Sequence, residues 1–431
     1  MDYFFEKFID CESSDPVTDL KPESNQSLVK TILEKGLKAA QQQNWLEVSN
    51  QLKQLPQTQS DHDSNQFLVN SADWQTVFDV ALEMLIKADF LHKWEITKLF
   101  PLLGDKIIIP LSALALDETI EAEVRWFICQ ILGNFAEQSV VLTLVQLLQQ
   151  STDNELITIA GKTLIKIGDR AIDALVELLS QPKYRLLATK ALSYIRTTST
   201  ITPLLAITTY EDAELRAIAI NALGSFHDRR VAPILITALQ DPASTVRKEA
   251  AIALGFRPDL CQEANLVEHL QPLLYDLNIE VCSQAAISLG RMQQPAANAV
   301  LFKVLQANTT PISLKLNLVK ALGWSQLSSG IVYLEQALDN SNNLVRQEII
   351  LVLGRISTPE LKHQSVQILI NLWQLRQSLP VSSRQTLATS LGELRDRSAQ
   401  KVLEQLTQDS DRKVQLHAIS ALKKLAVSSE Q

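Results

Sequence analysis

A string close to "STVRKEAAIALG" (Ser244 to Gly255) returns along the chain as "AEVRWFICQILG" (122–133), "AELRAIAINALG" (213–224), "IEVCSQAAISLG" (279–290) and "NLVRQEIILVLG" (343–354). Recurrence constrains the fold more than composition does, because one short amphipathic segment cannot bury its apolar face alone and needs copies of itself beside it. Aligned on the closing Leu-Gly, the windows are anchored at Gly104, Gly133, Gly168, Ser193, Gly224, Gly255, Gly290, Gly323, Gly354, Gly392 and Lys423. Four of the ten intervals are 31 residues, a period that unrelated helices would not produce. The chain reads as a tandem array.

Within each twelve-residue window the third, seventh, eighth and eleventh places are usually apolar, as with Val246, Ala250, Ala251 and Leu254, or Val345, Ile349, Ile350 and Leu353. That spacing puts them on one stripe of a 3.6-residue helix, the buried face. The closing glycine is expected to end the helix by taking the left-handed conformation. A second apolar helix precedes each window, as in "AIDALVELLS" (171–180), "VAPILITALQ" (231–240) and "GIVYLEQALD" (330–339), with turns such as "DPAS" (241–244) and "NSNN" (340–343) between, whose Asp, Asn and Ser can cap the next helix. The expected fold is all-α: a right-handed α-solenoid of about eleven helical hairpins, with an N-terminal helical extension.

At 431 residues the chain exceeds the usual size of one core, so it must divide or grow by repetition. A net charge of -8 offers no overall basic field for phosphate backbones, which argues against nucleic acid as a partner. Cys11, Cys129, Cys261 and Cys282 have no CxxC spacing, so neither a disulfide framework nor a zinc site is indicated, and a reducing compartment fits. The amino end lacks the features of a secretory signal, and the longest apolar stretch, around "IIIPLSALAL" (107–116), is too short to span a bilayer. No histidine is followed by glutamate, and no phosphate loop or nucleophile elbow is present, so neither a metal nor a catalytic residue is expected.

The ends depart from the repeat. "KWEITKLFPLLG" (93–104) carries Pro101 inside the window, and Lys423 replaces the last glycine, as terminal caps do. Residues 1–25 are expected to be mostly disordered, although Phe4, Phe5, Phe8 and Ile9 would suit a docking helix. Residues 26–56 read as a helix pair, 57–73 as a linker, and 74–431 as the solenoid.

The window carried by Asp241, Val246, Arg247, Ala250, Ala251, Ala253, Leu254 and Gly255, with partial copies at Asp339, Val345, Arg346, Leu353 and Gly354, resembles the short HEAT-like repeats of phycobilisome lyases. The resemblance covers about 85–431. It implies a cyanobacterial α-solenoid near phycobiliproteins or a thylakoid complex, cytoplasmic or peripheral to the thylakoid membrane. The same repeats occur in bilin lyase subunits, degradation factors and assembly scaffolds, and this longer chain departs from the lyase subunits in its added N-terminal region.

Six windows place arginine fourth: Arg125, Arg185, Arg216, Arg247, Arg346 and Arg384, with Lys315 in a seventh. Their stems should lie along the seam between units and their heads reach turn carboxylates such as Asp241 and Asp339, a structural ladder. The other reading is a row of cations for an acidic partner or for propionates. Trp126 and Phe127 stand where other windows have polar residues, which marks either a contact surface or a face covered by the N-terminal helix pair. Trp324, Phe226 and Phe256 are read as plugs between units. Gln130, Lys190, Asn221, Lys248, Lys320 and Gln347, at fifth and ninth places, are candidates with Trp126 and Phe127 to face a partner protein.

These features point to a non-catalytic scaffold or adaptor binding partner proteins, with no cofactor. The alternative is a subunit of a bilin lyase or isomerase acting on a phycobiliprotein cysteine, in which Arg125 would hold bilin propionates beside Trp126 and Phe127.

Overall fold

The computed structural model describes residues 22–57, 67, 69–375 and 379–427. Among the described residues the regular structure is helical, and the only β feature is one isolated bridge between Gln57 and Phe67. The chain divides into two compact units, 1–180 and 181–431.

In the first unit, hairpins form from Pro22–Gln41 with Trp45–Lys53, Ser71–Lys87 with Phe90–Thr97, Ile108–Leu116 with Ala122–Leu132, and Gln138–Gln150 with Asn154–Ile167. Their second members pack in series: Trp45–Lys53 on Phe90–Thr97, that helix on Ala122–Leu132, and that one on Asn154–Ile167. The N-terminal pair is therefore part of the stack. Three features of the ends refine the boundaries read from the sequence. Helix starts at Pro22, inside the segment 1–25 expected to be disordered. Within the segment 57–73 expected to be a linker, Phe67 is buried and its N–H donates to the Leu102 carbonyl at 2.7 Å, and a helix begins at Ser71, capped by the Asn70 side chain. The window 93–104 breaks into Phe90–Thr97 and a 3-10 turn Phe100–Leu103, because Pro101 has no N–H to continue the ladder. Residues 1–21, with Phe4, Phe5, Phe8 and Ile9, and residues 58–66 lie outside the described residues.

In the second unit the window helices stack one on the next: Arg185–Ile195, Ala213–Leu223, Ser244–Gly255, Ile279–Arg291, Ile312–Trp324, Asn343–Leu353, Val381–Leu394 and Arg412–Val427. The apolar stripe is buried as spaced, with Val246, Ala250, Ala251 and Leu254 at 1% exposure or less. Turn residues cap as expected at Asn278 and Asn342, which accept from the N–H groups of Glu280 and Val345.

The recurring glycine has a different cause from the expected one. Gly133, Gly224 and Gly354 keep right-handed helical angles, and positive φ is confined among glycines to Gly104 and Gly168. What excludes a side chain is the next unit. A Cβ on Gly224 would stand 2.6 Å from the Ala253 Cβ, one on Gly290 2.6 Å from the Ala321 carbonyl oxygen, and one on Gly392 2.6 Å from the Ala421 Cβ. The glycines let neighbouring helix backbones approach closely.

The arginine ladder runs between units with a register that can be stated. Arg216 grips Asp241 with two bonds of 2.8 Å, Arg247 grips Asp276 at 2.7 and 2.9 Å, and Arg384 grips Asp409 at 2.7 and 3.0 Å. Each carboxylate is the third residue before the next window, so the arginine reaches forward by 25 or 29 residues. The remaining guanidinium N–H groups bond back to carbonyls of their own turn: Arg216 to Tyr210 and Glu211, Arg247 to Asp241 and Pro242, Arg384 to Leu379. Arg185 obeys the same register, with Tyr210 in the carboxylate's place and its guanidinium 5.5 Å from the ring centre. One expected member departs: Arg125 is buried and donates through Nε to the Ala115 carbonyl at 2.8 Å rather than to a turn carboxylate. Arg346 donates to the Ser341 carbonyl and the Asn343 side chain, and Asp339 stands in the last turn of Ser328–Asn340.

Candidate interaction surface

The helix Phe90–Thr97 is short because the proline turn follows it closely, and Asp89 caps its start by accepting from the His92 N–H at 3.0 Å. Spacing of one helical turn puts Phe90 and Trp94 on one side, and they remain 58% and 41% exposed, with Leu91 at 67%. Against this helix packs Ala122–Leu132, bringing Phe127 underneath. Phe127 is fully buried, so it is no surface residue. It is the hub of an aromatic cluster: Phe90 lies 5.3 Å away between ring centres, Trp126 5.1 Å edge-on, and Trp94 6.5 Å edge-on. The cover over Phe127 is thus the helix Phe90–Thr97, not the 26–56 pair that the sequence suggested. Trp126 stays half-buried.

Beside the cluster an open groove of about 520 Å³ is lined by Phe90, Ala122, Glu123, Trp126, Asp153, Glu155, Leu156 and Thr158. Lys93, itself buried, donates to the Glu123 carboxylate from behind. Asp153 caps Asn154–Ile167 by accepting from the N–H groups of Glu155 and Leu156 at 2.7 and 3.2 Å. The Glu155 side chain is exposed and makes no bond among the described residues. The arrangement offers flat apolar surface edged by carboxylates, and no convergent acid and base for chemistry. Cys129, close by in the chain, is inert as a nucleophile: burial pushes its thiol up to about 12.

The other sequence candidates do not join this groove. They form a second row that bridges neighbouring repeats: Lys190 to Glu214 at 3.6 Å, Asn221 to Glu249 at 2.8 Å, Lys248 to Glu280 at 3.2 Å, Lys320 to Glu348 at 4.0 Å, and Gln347 to Thr386 at 3.2 Å. Gln130 is half-buried in the first unit. Of the expected plugs, Phe226 is buried, whereas Phe256 and Trp324 are 62% and 49% exposed, with the Arg291 guanidinium 4.4 Å over the Phe256 ring. Sequence reasoning missed Phe90, Leu91 and Trp94, whose signal was three large apolar side chains in "DFLHKWE" (89–95), where the atypical window 93–104 begins. Among the described residues no group of three or more His, Cys, Asp or Glu side chains could hold a metal, and no helix is long and apolar enough to cross a membrane.

Comparison with known proteins agrees with this construction. A family model described as HEAT repeats matches residues 111–196, 201–270 and 267–354, more than half of the chain. No curated protein matches. Among solved structures, the chain is similar to Kap95 in its complex with Nup1, with 15% identity, a TM-score of 0.57, and coverage of 83% of this chain and 56% of that one. Importin beta, in an ammonium sulfate condition, gives 13% identity, a TM-score of 0.51, and coverage of 94% and 61%. The chain thus spans less than two thirds of either. Human deoxyhypusine hydroxylase in complex with glycerol gives 22% identity over 63% of this chain and 99% of that one, with a TM-score of 0.27.

Proposed function

We propose that this chain, which belongs to the HEAT-repeat family, is a non-catalytic scaffold that holds a partner protein on the surface of its helical array, with the groove at Phe90 and Trp126 as the principal contact. One observation supports this above the others: Phe90, Leu91 and Trp94 stay exposed, and Trp126 half-buried, around a buried aromatic hub, and a surface of that kind is characteristic of protein contact sites. A rigid hub beneath keeps the exposed rings in fixed positions, so little side-chain entropy is lost on binding. Kap95, of like fold, is found in complex with another protein, Nup1. In the finer reading the partner belongs to a photosynthetic or phycobilisome complex under assembly, maintenance or turnover, with the protein in the cytoplasm or at the thylakoid edge; that rests on the repeat motif at Asp241 to Gly255. The bilin lyase alternative loses its anion-binding group, since Arg125 is buried on the Ala115 carbonyl and the groove is edged by carboxylates that would repel propionates.

The test is affinity capture from a lysate of the source cells with the full chain and with Trp126→Ala. The scaffold reading expects a protein retained by the first and lost about tenfold or more with the second, as for a contact hot spot. Equal retention would remove the groove from the function. A shifted visible absorption band on mixing with bilin would favour the lyase instead.

A further inference from the structure

Charge around the groove narrows the partner's chemistry, given the scaffold reading above. Of its eight lining residues three are acids, Glu123, Asp153 and Glu155, and none is basic. Lys93 answers Glu123, and the cap bonds of Asp153 come from neutral N–H groups, so both the cap and Glu155 leave negative charge at the rim. Phe90 and Trp126 line the same groove as these carboxylates. A carboxylate pair beside aromatic faces fits one chemistry well: a cation on an apolar stem, whose methylenes lie on the rings while its head is held by charge and by the ring quadrupole.

We infer that the groove recognises a cationic segment of the partner, a Lys or Arg flanked by an apolar residue, with its head at Glu155 and Asp153 and its stem on Trp126 and Phe90. An acidic segment would meet like charge at the rim. The chain's own residues 1–21, with six acids against two lysines, are disfavoured as the occupant for the same reason.

The experiment uses the full chain and two labelled synthetic peptides, one with lysines spaced by leucines and one with glutamates in place of the lysines, read by fluorescence anisotropy. The lysine peptide should bind about tenfold or more tighter at low salt, with the gap narrowing as salt screens the rim. Because the whole chain is acidic, the control is a matched charge reversal elsewhere: Glu155→Lys should weaken the lysine peptide about tenfold while Glu335→Lys, on the exposed part of Ser328–Asn340, should leave it within about twofold. Equal effects of the two reversals, or equal binding of the two peptides, would overturn the inference. Loss of the captured cellular partner with Trp126→Ala but not with Glu155→Lys would sink the cationic assignment alone and leave the scaffold reading standing.

Discussion

Gly290 shows how a single residue can mean something other than its type suggests. It lies within Ile279–Arg291 and would gain about 1 kcal/mol of helix propensity as alanine. The added methyl, however, would stand 2.6 Å from the Ala321 carbonyl oxygen and 2.9 Å from its Cα, backbone atoms that can yield only if a helix moves. Overpacking of this kind costs about 1–3 kcal/mol, so it wins over propensity. Urea unfolding followed by circular dichroism should show Gly290→Ala less stable than the parent. Gly36→Ala, whose methyl would only touch the Gln51 Cβ at 4.0 Å, should be more stable by about 1 kcal/mol. If both behaved alike, close approach would not explain the recurrent glycine. The recurrence itself was plain in the sequence; its cause was not, because a glycine that turns a chain and a glycine that admits a neighbour leave the same letter.

At the scale of the element, the inter-unit pairs couple stability to pH. The Arg247 guanidinium holds the Asp276 carboxyl below the usual carboxylate range; at Asp241 burial works in the opposite direction, but Arg216 and the Ala243 N–H outweigh it. A carboxyl whose folded pKa is lowered stabilises the fold above its unfolded value of about 4 and loses that contribution as pH falls through the folded value. Asp276→Asn should therefore cost about 2 kcal/mol at neutral pH, the scale of charge-assisted hydrogen bonds to a mostly buried partner, and the gap from the parent should close below about pH 4. Thermal melts from pH 3 to 7 would check it; a gap that persisted in acid would assign the loss to packing. The arginines were visible from the windows, yet their partners Asp276, Asp409 and Tyr210 were not, since only the stacking offset says which turn lies over which helix.

For the molecule as a whole, repetition makes stability a sum of neighbour contacts. Ile279–Arg291 and Ile312–Trp324 have a window helix packed on either side, whereas Arg412–Val427 has one on a single side, Val381–Leu394. Hydrogen–deuterium exchange should accordingly be slower in the first two helices than in the last. Uniform protection would mean that the second unit opens as one body rather than from its end.

The amino-acid sequence by itself determined the helical hairpin, its length, its buried stripe and its repetition, because these follow from local periodicity and from the need of each apolar face for a neighbour. Only the tertiary structure decided which aromatic side chains stay in reach of solvent. Trp126 and Phe127 are adjacent in sequence and both apolar, but the helix Phe90–Thr97 crosses one and leaves the other in reach of solvent, and two of the three carboxylates beside it, Asp153 and Glu155, come from a further segment. Exposure at a junction is a property of what packs there, and no window of consecutive residues contains it.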